Sequence, residues 1–301
     1  MLSPSLSSHW LRANILLVVS LFGLPTPTIA QASSATGAKA GETLVWSDEF
    51  NAKTGPSVPD PTTWAYVTGK GESGGQQIYC KYNSSQPPCD PKEPNSFVGA
   101  DGNLHIIVQK TPYGGYTSAF LQTKKLKSFQ YGRIEARMKL PAGQGMWPAF
   151  WLMGDTVSQV SWPKCGEIDI MENLGRQPSR AYGTLHAAGY AGAGHGKTFD
   201  LPGGRALSED FHIFGMIWQP KKIQFYVDSP SNIYATFTAD QLAAGEEWPF
   251  DTGKFYLLLN TAVGGSWGGP PDATTKTPAE MLIDYVRVYQ TSEQKSEQAS
   301  R

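Results

Sequence analysis

The stretch GEIDIMENLG, residues 166–175, decides the fold of this chain. Acidic and apolar residues alternate over its first half, and side chains two apart share one face of a β-strand. The pattern predicts a strand with Glu167 and Asp169 on one face and the isoleucines in a core. Glu172 lies at an odd spacing from Glu167, so we predict a bulge at Met171 that returns it to the acidic face.

Three carboxyl groups converging on one surface indicate catalysis. Like charges held close together raise the pKa of one group, so that one acid stays protonated while its neighbour is ionised. A retaining glycosidase needs such a nucleophile and proton donor about 5–5.5 Å apart. A solvated acidic edge strand would show the same spacing. Three tryptophans just upstream favour the catalytic interpretation, because aromatic rings are platforms for sugar faces: Trp147, Trp151 and Trp162.

The motif GEIDIMEN, preceded by WPAFW at residues 147–151, closely resembles the bacterial laminarinase-like members of glycoside hydrolase family 16. The resemblance runs from about Leu44 to Tyr289. It implies an all-β fold, a β-jelly-roll sandwich of two antiparallel sheets with a concave substrate cleft. The motif's methionine is typical of the laminarinase branch, because the β-1,3-1,4-glucanases called lichenases usually lack it.

The resemblance also implies residue roles in a retaining endo-β-1,3-glucanase. Glu167 would be the nucleophile and Glu172 the general acid/base, with Asp169 hydrogen-bonded to Glu167. The three tryptophans would stack on sugars before the cleavage point. Family motifs indicate five further substrate-binding candidates: His186 beside the acids, Arg133 in YGRIEAR, Asn260 and Trp267 in NxAVGGxW, and Gln77 in a loosely matching segment. A structural salt bridge is the alternative for Arg133, and ordinary structural roles are the alternatives for His186 and Trp267.

No cofactor is expected for catalysis, but the resemblance implies a structural Ca²⁺. Asp284 lies on the otherwise apolar face of the last predicted strand, 281–290, and so needs a partner or a metal. The implied ligands are the Asp284 side chain and the backbone carbonyls of Glu49 and Gly102. Calcium favours such oxygen-only shells. A salt bridge or hydrogen bond to Asp284 is the competing interpretation.

The N-terminus is typical of a secretory signal. Arg12 precedes an apolar run at 15–24, and small residues at 28–30 offer a cleavage site. Ten apolar residues are too few to span a bilayer, although an uncleaved anchor is the alternative. We therefore predict a secreted protein, extracellular or periplasmic. Its parts would be a signal peptide (1–30), a flexible linker (31–41), a catalytic domain (42–290) and a polar C-terminal tail (291–301).

Composition supports an exported all-β protein. About a dozen alternating strands, with one short helix over 239–245, predict two packed antiparallel sheets. Cys80 and Cys89 bracket a proline-containing loop and can form a disulfide after export, which leaves Cys165 as a buried, inert thiol. The formal charge is −1 for 301 residues, and −2 without the signal. That balance indicates neither nucleic acid nor a membrane as partner, and suits a neutral polysaccharide bound by a monomer.

Three alternatives to a laminarinase remain. One is a relative acting on mixed-linkage glucan, agarose or carrageenan, although the absence of a basic cleft signature argues against a sulfated polymer. The second is a non-catalytic β-glucan sensor, which would be expected to lose catalytic acids that this chain retains. The third is a transglycosylase, which uses the same residues.

Overall fold

The structure is a computed structural model that describes residues 37–51, 54–192 and 195–299. The predicted signal peptide and the first part of the predicted linker lie outside the described residues. Strands dominate, and their bounds follow in chain order: β1 (Glu42–Asp48), β2 (Ala65–Tyr66), β3 (Gly69–Lys70), β4 (Gln77–Tyr79), β5 (Ser96–Val98), β6 (Leu104–Lys110), β7 (Tyr116–Ser118), β8 (Phe120–Gln122), β9 (Gly132–Lys139), β10 (Met146–Gly154), β11 (Glu167–Asn173), β12 (Arg180–His186), β13 (Gly196–Asp200), β14 (His212–Gln219), β15 (Lys222–Val227), β16 (Ile233–Thr238), β17 (Phe255–Val263) and β18 (Ala279–Thr291). The helices are short: α1 (Val157–Val160), α2 (Gly265–Gly268) and α3 (Ser292–Ala299).

These strands form two sheets, as the alternation predicted. The eleven-stranded sheet has the order β16-β15-β14-β9-β18-β6-β7-β4-β3, with β1 also paired to β18 and β5 to β6. The seven-stranded sheet has the order β13-β12-β11-β10-β17-β8-β2. Neighbouring strands are antiparallel except for β4 and β7. The acidic strand β11 therefore lies inside its sheet, with two strands on one side and four on the other.

One large apolar cluster contains buried side chains from both sheets. Ile168 and Ile170 of β11 belong to it, as their alternation with the acids predicted. Phe150 of β10, Ile134 of β9 and Val286 of β18 are members as well. Since successive side chains of a strand point to opposite faces, this core leaves the other face of β11 for the carboxyl groups.

The prediction of a short helix over 239–245 is wrong. These residues contain only a single 3₁₀ turn, Ala239–Gln241, because the backbone is already extended at Leu242. Most of the predicted polar tail forms the helix α3. Strands β13 and β16, and the short strands between residues 51 and 102, also escaped the sequence analysis.

The predicted disulfide between Cys80 and Cys89 is present, with Cα atoms 5.8 Å apart. Cys165 is a buried free thiol, and burial raises its pKa, which keeps it in the unreactive protonated form. Part of the predicted linker is tied to the fold, because the Gly37 carbonyl accepts a hydrogen bond from Arg133 Nη2 at 2.7 Å. Among the described residues, we find no helix with the length and apolar character that a bilayer crossing requires.

Candidate active site

A bulge in β11 brings the third acid onto the same face as the first two. On the β12 side, Ile170 and Met171 together lie opposite a single residue, Gly183. On the β10 side, Met171 pairs with Phe150, and Ile170 is the extra residue without a partner. The predicted bulge is therefore present, but on the β10 side it is at Ile170, one residue before the predicted Met171. Both bulged side chains are buried in the core, so Glu172 turns to the opposite face, called the acidic face below.

Asp169 is at the centre of the acidic face. It is hydrogen-bonded to Glu167, and its Oδ2 lies 3.0 Å from Nε2 of His186 on β12. The backbone N–H of Gly192 donates to Nδ1 of His186 at 3.0 Å, so Nδ1 is an acceptor and the ring hydrogen is on Nε2. One carboxylate oxygen from Glu167, one from Asp169 and one ring nitrogen of His186 all lie within 4.8 Å of one another. The three side chains thus form one compact cluster.

The three predicted tryptophans make different polar contacts. Trp147 donates its indole N–H to Oε1 of Glu172 at 2.8 Å. Trp162, which is 49 % exposed, is a hydrogen-bond donor to Glu167. Trp151 instead donates to Oδ1 of Asn260 at 2.8 Å. Two of the three rings therefore contact the glutamates directly, a function that the platform prediction did not include.

Trp267 lies beside the proton-donor candidate. Its ring packs edge-on against Trp147, with centroids 5.4 Å apart, and against Tyr182 at 4.9 Å. The sequence analysis missed Tyr182, which is the β12 residue directly opposite Glu172. A signal was present, because Tyr182 lies four residues before His186, so strand alternation puts both on one face.

Burial raises the pKa of all three carboxyl groups. For Glu167, burial and then the negative charge of Asp169 raise the pKa to about 8. For Glu172, burial is again the largest cause, opposed by the Trp147 hydrogen bond, and the pKa rises to about 7. The pKa of Asp169 is raised by burial and by the charge of Glu172. Each of the three carboxyl groups thus raises the pKa of another by its negative charge, in addition to the effect of burial.

Known glycoside hydrolases resemble this chain in both sequence and fold. The family model for glycosyl hydrolases family 16 matches residues 84–287. The chain belongs to this family. It is 39 % identical over 258 residues to a beta-glucanase of Rhodothermus marinus, which covers 82 % of this chain and 84 % of the relative. It is 33 % identical to glucan endo-1,3-beta-glucosidase A1 of Niallia circulans over 83 % of this chain but only 38 % of that longer protein.

A solved structure supports the same conclusion. The laminarinase catalytic domain of Thermotoga maritima is 41 % identical, has a TM-score of 0.72, and covers 83 % of this chain and 98 % of its own. The two sheets are thus the β-jelly-roll sandwich of family 16, and the protein is a glycoside hydrolase. Its acidic residues at 167, 169 and 172 lie within the matched region.

Arg133 is not on the acidic face of this family 16 enzyme. It belongs to β9 in the eleven-stranded sheet and is 2 % exposed. Its guanidinium donates to Glu42 and Glu135 and to the Gly37 carbonyl. The cleft assignment is wrong and the salt-bridge alternative is right, because β9 pairs with β14 and β18 rather than with the strands beside β11.

Gln77 and Asn260 are buried residues that hydrogen-bond to neighbouring strands and side chains. Gln77 is 1 % exposed, and its Oε1 accepts from the backbone N–H of Val263, so it is a structural residue rather than a direct sugar contact. Asn260 is also buried; it accepts from Trp151 and donates to the Tyr79 hydroxyl at 3.2 Å. Asn260 therefore holds the indole of Trp151, and its part in substrate binding stays a prediction.

The strand face predicted for Asp284 is wrong. A register irregularity between Ile283 and Tyr285 turns Asp284 away from the core, while Val286 points into it. The Asp284 side chain is 38 % exposed, and its Oδ2 accepts from Arg137 Nη1 at 2.7 Å. The salt-bridge interpretation thus accounts for this carboxylate without a metal.

The three implied calcium ligands lie on segments that meet at one edge of β18. One edge of β18 is shared by β6, which ends its pairing at Ile283, and by β1, which begins at Val286. Asp284 lies at the gap between them, where Gly102 precedes β6 and Glu49 follows β1. An aspartate with two backbone carbonyls at one gap is an oxygen-only donor set of the kind that calcium takes. Calcium binding stays a prediction.

Proposed function

We propose that this family 16 enzyme cleaves internal β-1,3-glucosidic bonds of laminarin-type β-glucans with net retention. The observation that carries the proposal is the bulge of β11, which brings Glu167 and Glu172 to one face on either side of Asp169. The laminarinase and endo-1,3-glucosidase relatives support the choice of substrate. An open face in the middle of a sheet suits the interior of a polysaccharide chain.

In the proposed mechanism Glu172 protonates the leaving glycosidic oxygen while the Glu167 carboxylate attacks the anomeric carbon. The glycosidic C–O bond breaks, and a covalent glycosyl-enzyme forms at Glu167. Glu172, now ionised, takes a proton from water, which attacks the same carbon and releases Glu167. Asp169 holds the nucleophile through its hydrogen bond, and His186 orients Asp169.

A mixed-linkage β-1,3-1,4-glucanase is the second candidate. The Rhodothermus relative, named only as a beta-glucanase, leaves the linkage open. The extra residue of the bulge favours the first candidate, because it is the feature that distinguishes the two branches in the resemblance described above.

Chromatography of the products from laminarin and from barley mixed-linkage glucan tests the proposal. We expect early release of laminari-oligosaccharides of several lengths, with slower cleavage of the barley polymer. Proton NMR of the first products should show the β-anomer, as retention requires. Faster cleavage of barley glucan would favour the second candidate, and initial α-anomers would refute the retaining mechanism.

We further propose that the enzyme is exported before it acts. The Cys80–Cys89 disulfide supports this proposal, because such bonds persist in oxidising compartments. Mass spectrometry of the mature protein from its native compartment should find an N-terminus near residue 31. The enzyme is also proposed to act as a monomer, which size-exclusion chromatography with light scattering would check.

A further inference from the structure

The indole N–H of Trp147 is committed to a catalytic carboxyl group. It donates to Oε1 of Glu172 at 2.8 Å, and Glu172 is itself only 9 % exposed. A tryptophan that served only as a sugar platform would need its ring face and not this hydrogen. This hydrogen bond therefore has a function other than sugar stacking.

An indole nitrogen can donate a hydrogen bond but cannot accept one. Oε1 of Glu172 must then be the acceptor whether the carboxyl group is ionised or protonated. The carbonyl oxygen of a protonated carboxyl group is a stronger acceptor than its hydroxyl oxygen, so this hydrogen bond favours a proton on Oε2 when Glu172 is protonated. One hydrogen bond thus favours one oxygen of the acid as the source of the proton.

The ring of Trp147 is held so that its N–H direction is fixed. Trp267 packs against it edge-on, and Tyr182 packs against Trp267 in turn. The backbone carbonyl of Trp267 accepts a hydrogen bond from Arg176, which ties this short helical turn to the loop after β11. The donor is therefore oriented by packing, as a precise catalytic arrangement requires.

We propose that Trp147 is a positioning residue for the proton donor, whose N–H holds Oε1 of Glu172 and keeps the transferable proton on Oε2. The inference rests on the proposed role of Glu172. In the first step the Oε2 proton moves to the glycosidic oxygen as its bond to the anomeric carbon breaks and the Glu167 carboxylate bonds to that carbon.

Trp151 provides a matched control on the same strand. It lies four residues after Trp147, so both side chains are on the acidic face. Its N–H is also hydrogen-bonded, but to the Asn260 amide and not to a carboxyl group. Replacement of either residue by phenylalanine removes one indole N–H and keeps an aromatic ring, but only Trp147→Phe deprives the acid of its partner.

The experiment compares two substrates that differ in their need for a proton. Laminarin leaves as a sugar alcohol that must be protonated, whereas 2,4-dinitrophenyl β-laminaribioside leaves as a stable phenolate. We expect Trp147→Phe to lower kcat on laminarin about 10-fold or more, a part of what general acid catalysis contributes. On the aryl substrate the glycosylation rate should change by no more than about 2-fold. Trp151→Phe should change both rates by the same factor.

Two further measurements keep the test decisive. A benzothienylalanine at position 147 replaces the N–H by sulfur with almost no change of shape, and should reproduce the split if the phenylalanine variant folds poorly. The alkaline limb of kcat/KM should move to higher pH in both variants of position 147, because loss of a donor to the carboxylate raises the pKa of Glu172. The titratable groups that face Glu172, namely Glu167, Asp169 and His186, remain in place.

Glu172→Ala separates the inference from the proposed function. This variant should lose laminarin hydrolysis and retain glycosylation by the aryl substrate. If it does so while Trp147→Phe loses both activities equally, with no shift of the alkaline limb, then Trp147 is only a platform and the inference is overturned. If Glu172→Ala shows no split between the substrates, then the acid assignment and the inference fail together.

Discussion

Both sheets bury carboxyl groups, but they treat them in opposite ways. In the eleven-stranded sheet, Glu135 is paired with the Arg133 guanidinium, which also contacts Glu42. On the seven-stranded sheet Asp169 is buried and Glu167 is partly buried, and the nearest basic group to Asp169 is His186, whose Nε2 lies 3.0 Å from Oδ2. Within the described residues, the acids of β11 contact no arginine or lysine in a salt bridge.

This difference teaches what distinguishes a structural acid from a reactive one. A guanidinium at hydrogen-bond distance favours the ionised form of a carboxyl group and offsets its burial. Burial without a permanent cation penalises the charge, so the pKa rises toward neutrality and the group can exchange a proton during a reaction. The following predictions test this contrast, beginning with the largest expected effect.

Loss of Glu167, an acid without an arginine or lysine partner, should abolish catalysis and leave the fold intact. Glu167→Gln removes the proposed nucleophile, and we expect laminarin hydrolysis to fall by at least about 10⁴-fold. The free energy of unfolding should stay constant or rise, because a buried carboxyl group without a permanent cation is replaced by a neutral amide. Reducing-sugar release and urea unfolding measure the two effects. Near-normal hydrolysis would show that the nucleophile has been assigned to the wrong residue.

Loss of the buried cation should have the reverse effect. Arg133→Met leaves Glu42 and Glu135 without their partner, and removal of one member of a buried pair costs about 3–5 kcal/mol of unfolding free energy. The double variant Arg133→Met, Glu135→Met should recover part of that loss, because no charge is then stranded. Urea unfolding gives both values. Activity per folded molecule should be unchanged in either variant, and a specific loss of kcat would place Arg133 in the catalytic machinery after all.

The two kinds of acid should also differ in how they make stability depend on pH. The pKa of Glu167 is raised from 4.5 to about 8, so below 4.5 the folded and unfolded states both hold its proton. Between pH 4.5 and pH 8 the unfolded state has released this proton while the folded state still holds it, so stability falls across that range and levels off above pH 8. Replacement by glutamine should remove more than about 1 kcal/mol of this decline. Asp200→Asn is the control, because a hydrogen bond from Arg180 lowers the Asp200 pKa and confines its effect to the acid side.

Asp284 is an intermediate case, with a half-exposed carboxylate, a guanidinium partner and a predicted calcium ion. If calcium binds, millimolar Ca²⁺ should raise the melting temperature by about 2–4 °C over the value in EDTA, as mass action requires for a ligand of the folded state. Asp284→Asn should remove the increase. Scanning calorimetry measures both. Equal melting temperatures in calcium and EDTA would leave the salt bridge to Arg137 as the complete account of this residue.

The sequence predicted most accurately where strict alternation was interrupted by a visible misfit. In β11 the odd position of Glu172 revealed the bulge, since an acid would otherwise point into the core. In β18 Asp284 gave a comparable sign, an acid on an otherwise apolar face, but the sequence analysis explained it by a metal or a salt bridge and not by a bulge, so the predicted faces were inverted. A misplaced acid is therefore compatible with both a bulge and a buried partner, and the sequence alone does not choose between them.

The limits of prediction for Arg133 have a different cause. Arg133 lies on β9, and the sheet to which that strand belongs depends on pairing with β14 and β18, which are distant in sequence. Alternation along one strand contains no information about such partners. The same non-local pairing explains why Gln77 was taken for a cleft residue, although its partner Val263 lies far along the chain.

The pairing of β1 with β18 sets Glu42 directly across from Thr291. Residues opposed in an antiparallel pair have Cα atoms only about 4.5–5.5 Å apart, so the domain's outermost strands begin and finish at neighbouring points. A short glycine-rich bridge would be able to join these points, and fresh ends could be opened at the β6–β7 hairpin, where Tyr113 is 91 % exposed. Circular permutation at that tip would leave β11 and its neighbours uninterrupted.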